Sequence, residues 1–239
     1  MTTCTVIAIS LAGCGDNITA MVLAVETEHF RVYREIGAPP GCDALGVELE
    51  GFYSSFAKYL DVQGPAKKVT YKEYQHLALA FDACHNLTGS CYYPDSNTII
   101  SPIVSNSHEI AHVLETQVGG PRSGPFFFSE GVASMLGGGS ATNRPDRRVD
   151  ASLAVEDLVD SAASEDAVTS KYDRGVVYAA AAGCVRYLID NFGKDGFMDF
   201  YGALDGLSRV ADIKRRFLAM YGHEFDWVVQ DWRICKPPR

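Results

Sequence analysis

Past its first residues, the chain contains no segment approaching the roughly 20 consecutive apolar residues of a membrane span, so lipid is the expected route of any membrane attachment. Basic residues are in deficit, with 21 Lys and Arg against 30 Asp and Glu for a formal net charge of -9. No basic cluster interleaves with aromatics, and nucleic acid is therefore not an expected partner. No two cysteines stand at Cys-x2-Cys spacing, which argues against a zinc finger. Internal repeats and low-complexity tracts are also lacking. What the chain does have is apolar material: at 239 residues and 47% hydrophobic it suits one large domain or two closely packed subdomains. Such a core needs neither disulfides nor metal as its main staple, so a metal here is expected to serve function.

The N-terminus, MTTCTVIAISLAGCGDN, is a short apolar run ending in Leu11, Ala12, Gly13 and Cys14 and followed by polar residues. It resembles a bacterial lipoprotein signal peptide, although no Lys or Arg precedes the run; a first β-strand is the competing reading. The resemblance implies residues 1–14 as the signal region, Cys14 as the lipidated residue, and an extracytoplasmic location, in the cell envelope or secreted. Without Cys4 and Cys14, five cysteines remain: Cys42, Cys84, Cys91, Cys184 and Cys235. Five is odd, so at least one is unpaired or pairs outside the chain. Cys84 and Cys91 flank the polar, turn-like HNLTGS, and a disulfide closing that loop is favoured over a set of buried free thiols.

The apolar pattern sets the fold class. EHFRVYREIG (28–37) alternates apolar and charged residues as a strand does, and GAPPG ends it. In CDALGVELEGFYSSFAKYL, Leu45, Leu49, Phe52, Phe56 and Tyr59 or Leu60 recur at helical spacing. KKVTYKEY (67–74) and NTIISPIVS (97–105) are further strands, and Pro102 confines the latter to an edge or places itself at the strand's end. Helices are predicted over 107–118, 129–137, 174–192, 196–204, 209–220 and 224–234, and GGGSATNRPDRR (137–148) is the clearest loop. Sheet first and helices after is an α+β arrangement. One domain is expected over 26–239, its sheet and active-site helices in 26–137 and a helical subdomain in 150–239.

The chemistry concentrates in SNSHEIAHVLETQ (105–117). On a helix His108 and His112 share a face with Cβ atoms about 6 Å apart, so both imidazoles can converge on one ion. Glu109, rotated about 100°, borders that face and can reach a metal-bound water without ligating the metal. A chance match is expected on the order of once in a hundred such chains. A catalytic zinc needs a third protein ligand and an open position. After the break at Gly119 and Gly120, FFFSEGVASML begins a second helix with Glu130 in its first turn and Gly131 beside it for close packing. Alone, Glu130 reads as a solvated first-turn carboxylate; after His-Glu-x-x-His it reads as the third ligand.

HEIAH, with EG at 130–131, resembles the gluzincin branch of zincin metallopeptidases, which includes thermolysin-like and M1-type enzymes and peptidase-MA-like domains. The resemblance implies a zincin-like α+β fold, Zn2+ held by His108, His112 and Glu130, and Glu109 as catalytic acid/base. YAAAAGCVRYLIDNFG (178–193) is similar to the M1-type segment whose tyrosine stabilises the oxyanion, implying Tyr178 in that role, with Tyr172 in KYDRG competing and a core tyrosine the alternative for either. The implied reaction is zinc-dependent peptide hydrolysis, with peptides or proteins as substrates, and the edge strand around Thr98 to Ile103 could bind an extended one. No Gly-Ala-Met-Glu-Asn strand is present, so an endopeptidase is expected rather than an aminopeptidase. Ser134 stands where several relatives carry an acidic residue that orients a ligand histidine. The alternative function is an inactive zinc-binding relative serving as a surface binding lipoprotein.

Overall fold

The structure is a computed structural model, and it describes residues 20–38, 43–85, 89–119, 125–138, 159, 165–204 and 209–234. The N-terminal run with Cys14, most of the 137–148 loop, Cys42 and Cys235 lie outside the described residues.

The first half is a five-stranded sheet with helices. Its strands are β1 (Met21–Glu26), β2 (Phe30–Glu35), β3 (Val69–Glu73), β4 (Cys91–Tyr93) and β5 (Thr98–Ser101) in the order β1-β2-β3-β5-β4. The central pairs β2/β3 and β3/β5 are parallel, and the outer pairs are antiparallel. In β2 the alternation is physical: Phe30 and Val32 are buried while Arg31 faces water. Two helices interrupt the strands, α1 (Asp43–Leu60) and α2 (Leu77–Cys84). α1 turns Leu45, Leu49, Tyr53, Phe56 and Leu60 into the core; Leu60, not the half-buried Tyr59, completes the stripe.

One expectation is corrected. The segment around Thr98 to Ile103 is not a sheet edge, because β5 lies between β3 and β4 with all four of its residues buried. The edge on that side is β4. Pro102 stands one residue past β5, so its missing N–H interrupts no ladder. A disulfide joins Cys84 at the end of α2 to Cys91 at the start of β4, with Cα atoms 5.7 Å apart.

The second half is helical: α3 (Ser107–Gly119), α4 (Phe126–Gly137), α5 (Glu165–Thr169), α6 (Arg174–Phe192), α7 (Lys194–Gly202), α8 (Val210–Tyr221) and α9 (Phe225–Ile234). The molecule is therefore α+β, with a small mixed sheet followed by a mostly helical half. α4 starts three residues earlier than the sequence predicts, since Phe127 and Phe128 are carried into the core by its first turn. Asp173 caps α6, its Oδ1 accepting the Val176 N–H at 3.0 Å.

The start of α3 is tied to the sheet. Asn106 Oδ1 accepts the Glu109 N–H at 3.3 Å as an N-cap, while Asn106 Nδ2 donates to Ser90 Oγ at 3.1 Å and Ser101 Oγ at 3.2 Å. The Asn106 N–H donates to Tyr71 Oη at 3.0 Å, and that hydroxyl donates to the Ile103 carbonyl at 2.6 Å. β3 and β5 thereby fix where the helix begins and how it is rotated.

Candidate metal centre

α3 presents His108 and His112 one turn apart with their Nε2 atoms separated by 3.1 Å. From α4, Glu130 places Oε2 at 3.0 Å from His108 Nε2 and Oε1 at 3.5 Å from His112 Nε2. Glu130 lies in the second turn of α4, not the first, because the helix begins at Phe126. Its position therefore owes less to the helix dipole than the sequence suggests. Ligands about 2.0 to 2.1 Å from one tetrahedral ion stand roughly 3.3 Å apart. The observed separations bracket that value, and two imidazole nitrogens with one carboxylate oxygen suit a divalent ion such as zinc.

Glycines let α4 come close to both of its helical neighbours. A Cβ on Gly131, beside Glu130, would meet the Ala181 carbonyl oxygen of α6 at 2.7 Å and Val185 Cγ2 at 2.7 Å. At the other end of α4, a Cβ on Gly137 would meet His108 Cα at 2.7 Å, and Ser107 Oγ donates to the Gly137 carbonyl at 2.6 Å. α4 is thus clamped between α3 and α6, so Glu130 faces the histidines.

Burial and charge compete throughout the site. Burial raises the Glu109 carboxyl above its usual range, with His112 and His108 opposing it. For Glu130 burial also favours the neutral acid, but the two histidines outweigh it and hold the carboxyl well below the usual range. Burial disfavours charge on His112 too, yet Glu130 and Glu115 push the imidazole well above its ordinary value. Tyr178 stacks beside His108, ring centroids 5.8 Å apart, and burial, aided by the Glu130 charge, raises its hydroxyl. Arg174, one turn earlier on α6, donates from Nη2 to Tyr178 Oη at 3.0 Å. Tyr172 and Tyr178 both pack against the hydrophobic core, and it is Tyr178 that also stacks on His108.

Four residues beside the centre were not singled out by sequence reasoning. Glu115 lies 3.5 Å from His112 Nδ1, and Ser129 Oγ lies 3.4 Å from the same nitrogen. Tyr201 donates to Glu115 at 2.9 Å, and Arg174 contacts Tyr178. Glu115 follows His112 by three residues and Arg174 precedes Tyr178 by four, so helical register could have flagged both. Nothing local marks Tyr201. Ser134, the expected orienting position, is buried in α4, and the carboxylate beside a ligand histidine comes from α3 instead.

No protein-family model matches the chain, and no curated protein matches it in sequence. Among solved structures, the crystal structure of an M1 zinc metallopeptidase from Deinococcus radiodurans matches with a TM-score of 0.50 and 15% identity. The chain shares that protein's fold. The match covers 91% of this chain and 50% of the metallopeptidase, so the chain spans about half that protein's length. Within this shared fold, the metal-binding reading rests on the chain's own side chains.

Proposed function

We propose that this chain is a zinc-dependent peptide hydrolase acting as an endopeptidase. The observation that carries the proposal is the convergence of His108, His112 and Glu130, with the buried carboxyl of Glu109 on the same helix. Zinc bound there would supply Lewis acidity to a water and to a substrate carbonyl. Glu109 takes the proton from the attacking water and returns it to the leaving nitrogen, and its burial-raised basicity suits that exchange. Tyr178 donates a hydrogen bond from its hydroxyl to the carbonyl oxygen as charge develops there, while Arg174 engages a lone pair of the same hydroxyl.

The substrate is an extended peptide. β4, the sheet edge packed near α3, supports that assignment in place of β5. A cavity of about 610 Å³ lined by Tyr92, Pro94, Thr116 and Gln117 adjoins β4 and the turn of α3 after His112. An extracytoplasmic setting fits the Cys84–Cys91 disulfide, which persists in oxidising compartments.

Metal content and cleavage of an unfolded protein by wild type and Glu109→Gln test the proposal. Both forms should hold one zinc, and the variant should cleave about 10²- to 10⁴-fold more slowly. A wild-type protein without zinc at pH 7 would overturn the metal reading. Zinc with no cleavage by either form would replace the hydrolase with a zinc-bearing binding module.

A further inference from the structure

We propose that Glu115 is the positioning residue of the metal centre, fixing the ring of His112 through Nδ1 both directly and through Ser129. The inference rests on the metal-binding reading of His108, His112 and Glu130. Glu115 is 0% exposed, so it cannot touch a substrate. Its Oε1 accepts two hydroxyl donors, Ser129 Oγ from α4 and Tyr201 Oη from α7, the latter at 2.9 Å. Its Oε2 is buried without a hydrogen-bond partner and stands 3.5 Å from His112 Nδ1. Ser129 Oγ lies 3.4 Å from that same nitrogen.

A carboxylate taken out of water costs several kcal/mol unless a cation and donors compensate. Both donors here serve one oxygen, and the other is aimed at an imidazole. A histidine that binds metal through Nε2 carries its remaining proton on Nδ1, and the acceptor of that proton sets ring angle and tautomer. Glu115 Oε2 is placed to be that acceptor. Ser129, donating its own proton to Oε1, can offer Nδ1 a lone pair at the same time. Residues from three helices thus meet behind one ligand, on the side away from Glu130.

The test uses the full chain with Glu115→Gln and Ser129→Ala. Zinc affinity is read by competition with a chromophoric chelator, and apo-protein stability by thermal melting. Glutamine keeps the shape but presents an amide to Nδ1, so zinc affinity should fall 10- to 100-fold. The apo melting temperature is read alongside to report loss of folding, since glutamine also removes the carboxylate that faces His112 in the metal-free protein. Ser129→Ala leaves the carboxylate in place and should weaken zinc about tenfold; it carries the same test if Glu115→Gln fails to fold. Wild-type zinc affinity in the variants overturns the inference, as does a lowered apo melt with affinity unchanged, the signature of a structural carboxylate. A wild-type protein that binds no zinc fails the parent reading instead, so the two failures are distinct.

Discussion

His112 stands between two carboxylates, Glu130 toward Nε2 and Glu115 toward Nδ1, and together they push its proton affinity well above the ordinary imidazole value. Without metal, the protonated imidazole is stabilising below its unfolded pKa. That contribution is lost as pH rises through the higher folded value. On the proposed zinc reading the ion would have to displace this proton, so apparent zinc affinity should climb with pH through the range above 6.5 where the folded imidazole still holds it, by up to about tenfold per unit. Glu130, already ionised, contributes no proton. Calorimetric titration in buffers of different ionisation enthalpy reads the proton count directly: about one released per zinc below the folded value, about none above it. An affinity flat between pH 6 and 8 would contradict the assignment of His112 as a ligand. The pairing of His108 and His112 was readable from sequence because helical geometry brings i and i+4 together wherever the chain goes. Tyr201 could not be read, since its approach to Glu115 across 86 residues depends on how α7 packs.

At the scale of elements, α4 is held between α3 and α6 by two positions that exclude a side chain, Gly137 against α3 and Gly131 against α6. Gly131→Ala puts a methyl 2.7 Å from the Ala181 carbonyl oxygen, which belongs to a helix backbone and cannot rotate away. The substitution should cost about 1–3 kcal/mol of stability and weaken zinc binding by displacing the adjacent Glu130. Gly183→Ala in α6 is the control: its new methyl would find its nearest neighbour at 3.6 Å, an ordinary contact with Trp232. It should be neutral or stabilising by about 0.5–1 kcal/mol through helix propensity. Equal losses in chemical denaturation would show that the close approach at Gly131 is not special. Helix limits followed from sequence where a residue enforces them, as Asp173 and Gly193 do for α6. Strands were harder: β1 is half-buried nearly throughout with a register shift between Leu23 and Val25, so it shows no clean alternation. β4 has three residues, too few for any period, and exists because β5 pairs with it. The edge was misplaced for the same reason, since strand order is a non-local property.

Across the whole molecule, one continuous set of buried residues runs from Phe30 and Tyr71 in the sheet, through Leu114 and Phe128 in the α3–α4 hairpin, to Phe225 and Trp232 in α9. The two halves expected from sequence therefore share a core, and they should unfold together. Cys184 reports on this. It is 1% exposed in α6, where burial pushes its thiol up to about 12, so this thiol keeps its proton near neutral pH in the folded protein. Modification by a maleimide, followed by peptide mass spectrometry, then measures how often the core opens. On the proposed zinc reading the ion binds only the folded centre, so at a free concentration 100 times its Kd it should stabilise by about 2.7 kcal/mol. Labelling of Cys184 should slow by about 100-fold under those conditions if opening is global. Slowing far smaller than this would mean that α6 opens while the α3–α4 hairpin stays closed. That outcome is hard to reconcile with Gly131 packed against Ala181, because freeing the thiol would have to pull α6 away from the helix that carries Glu130.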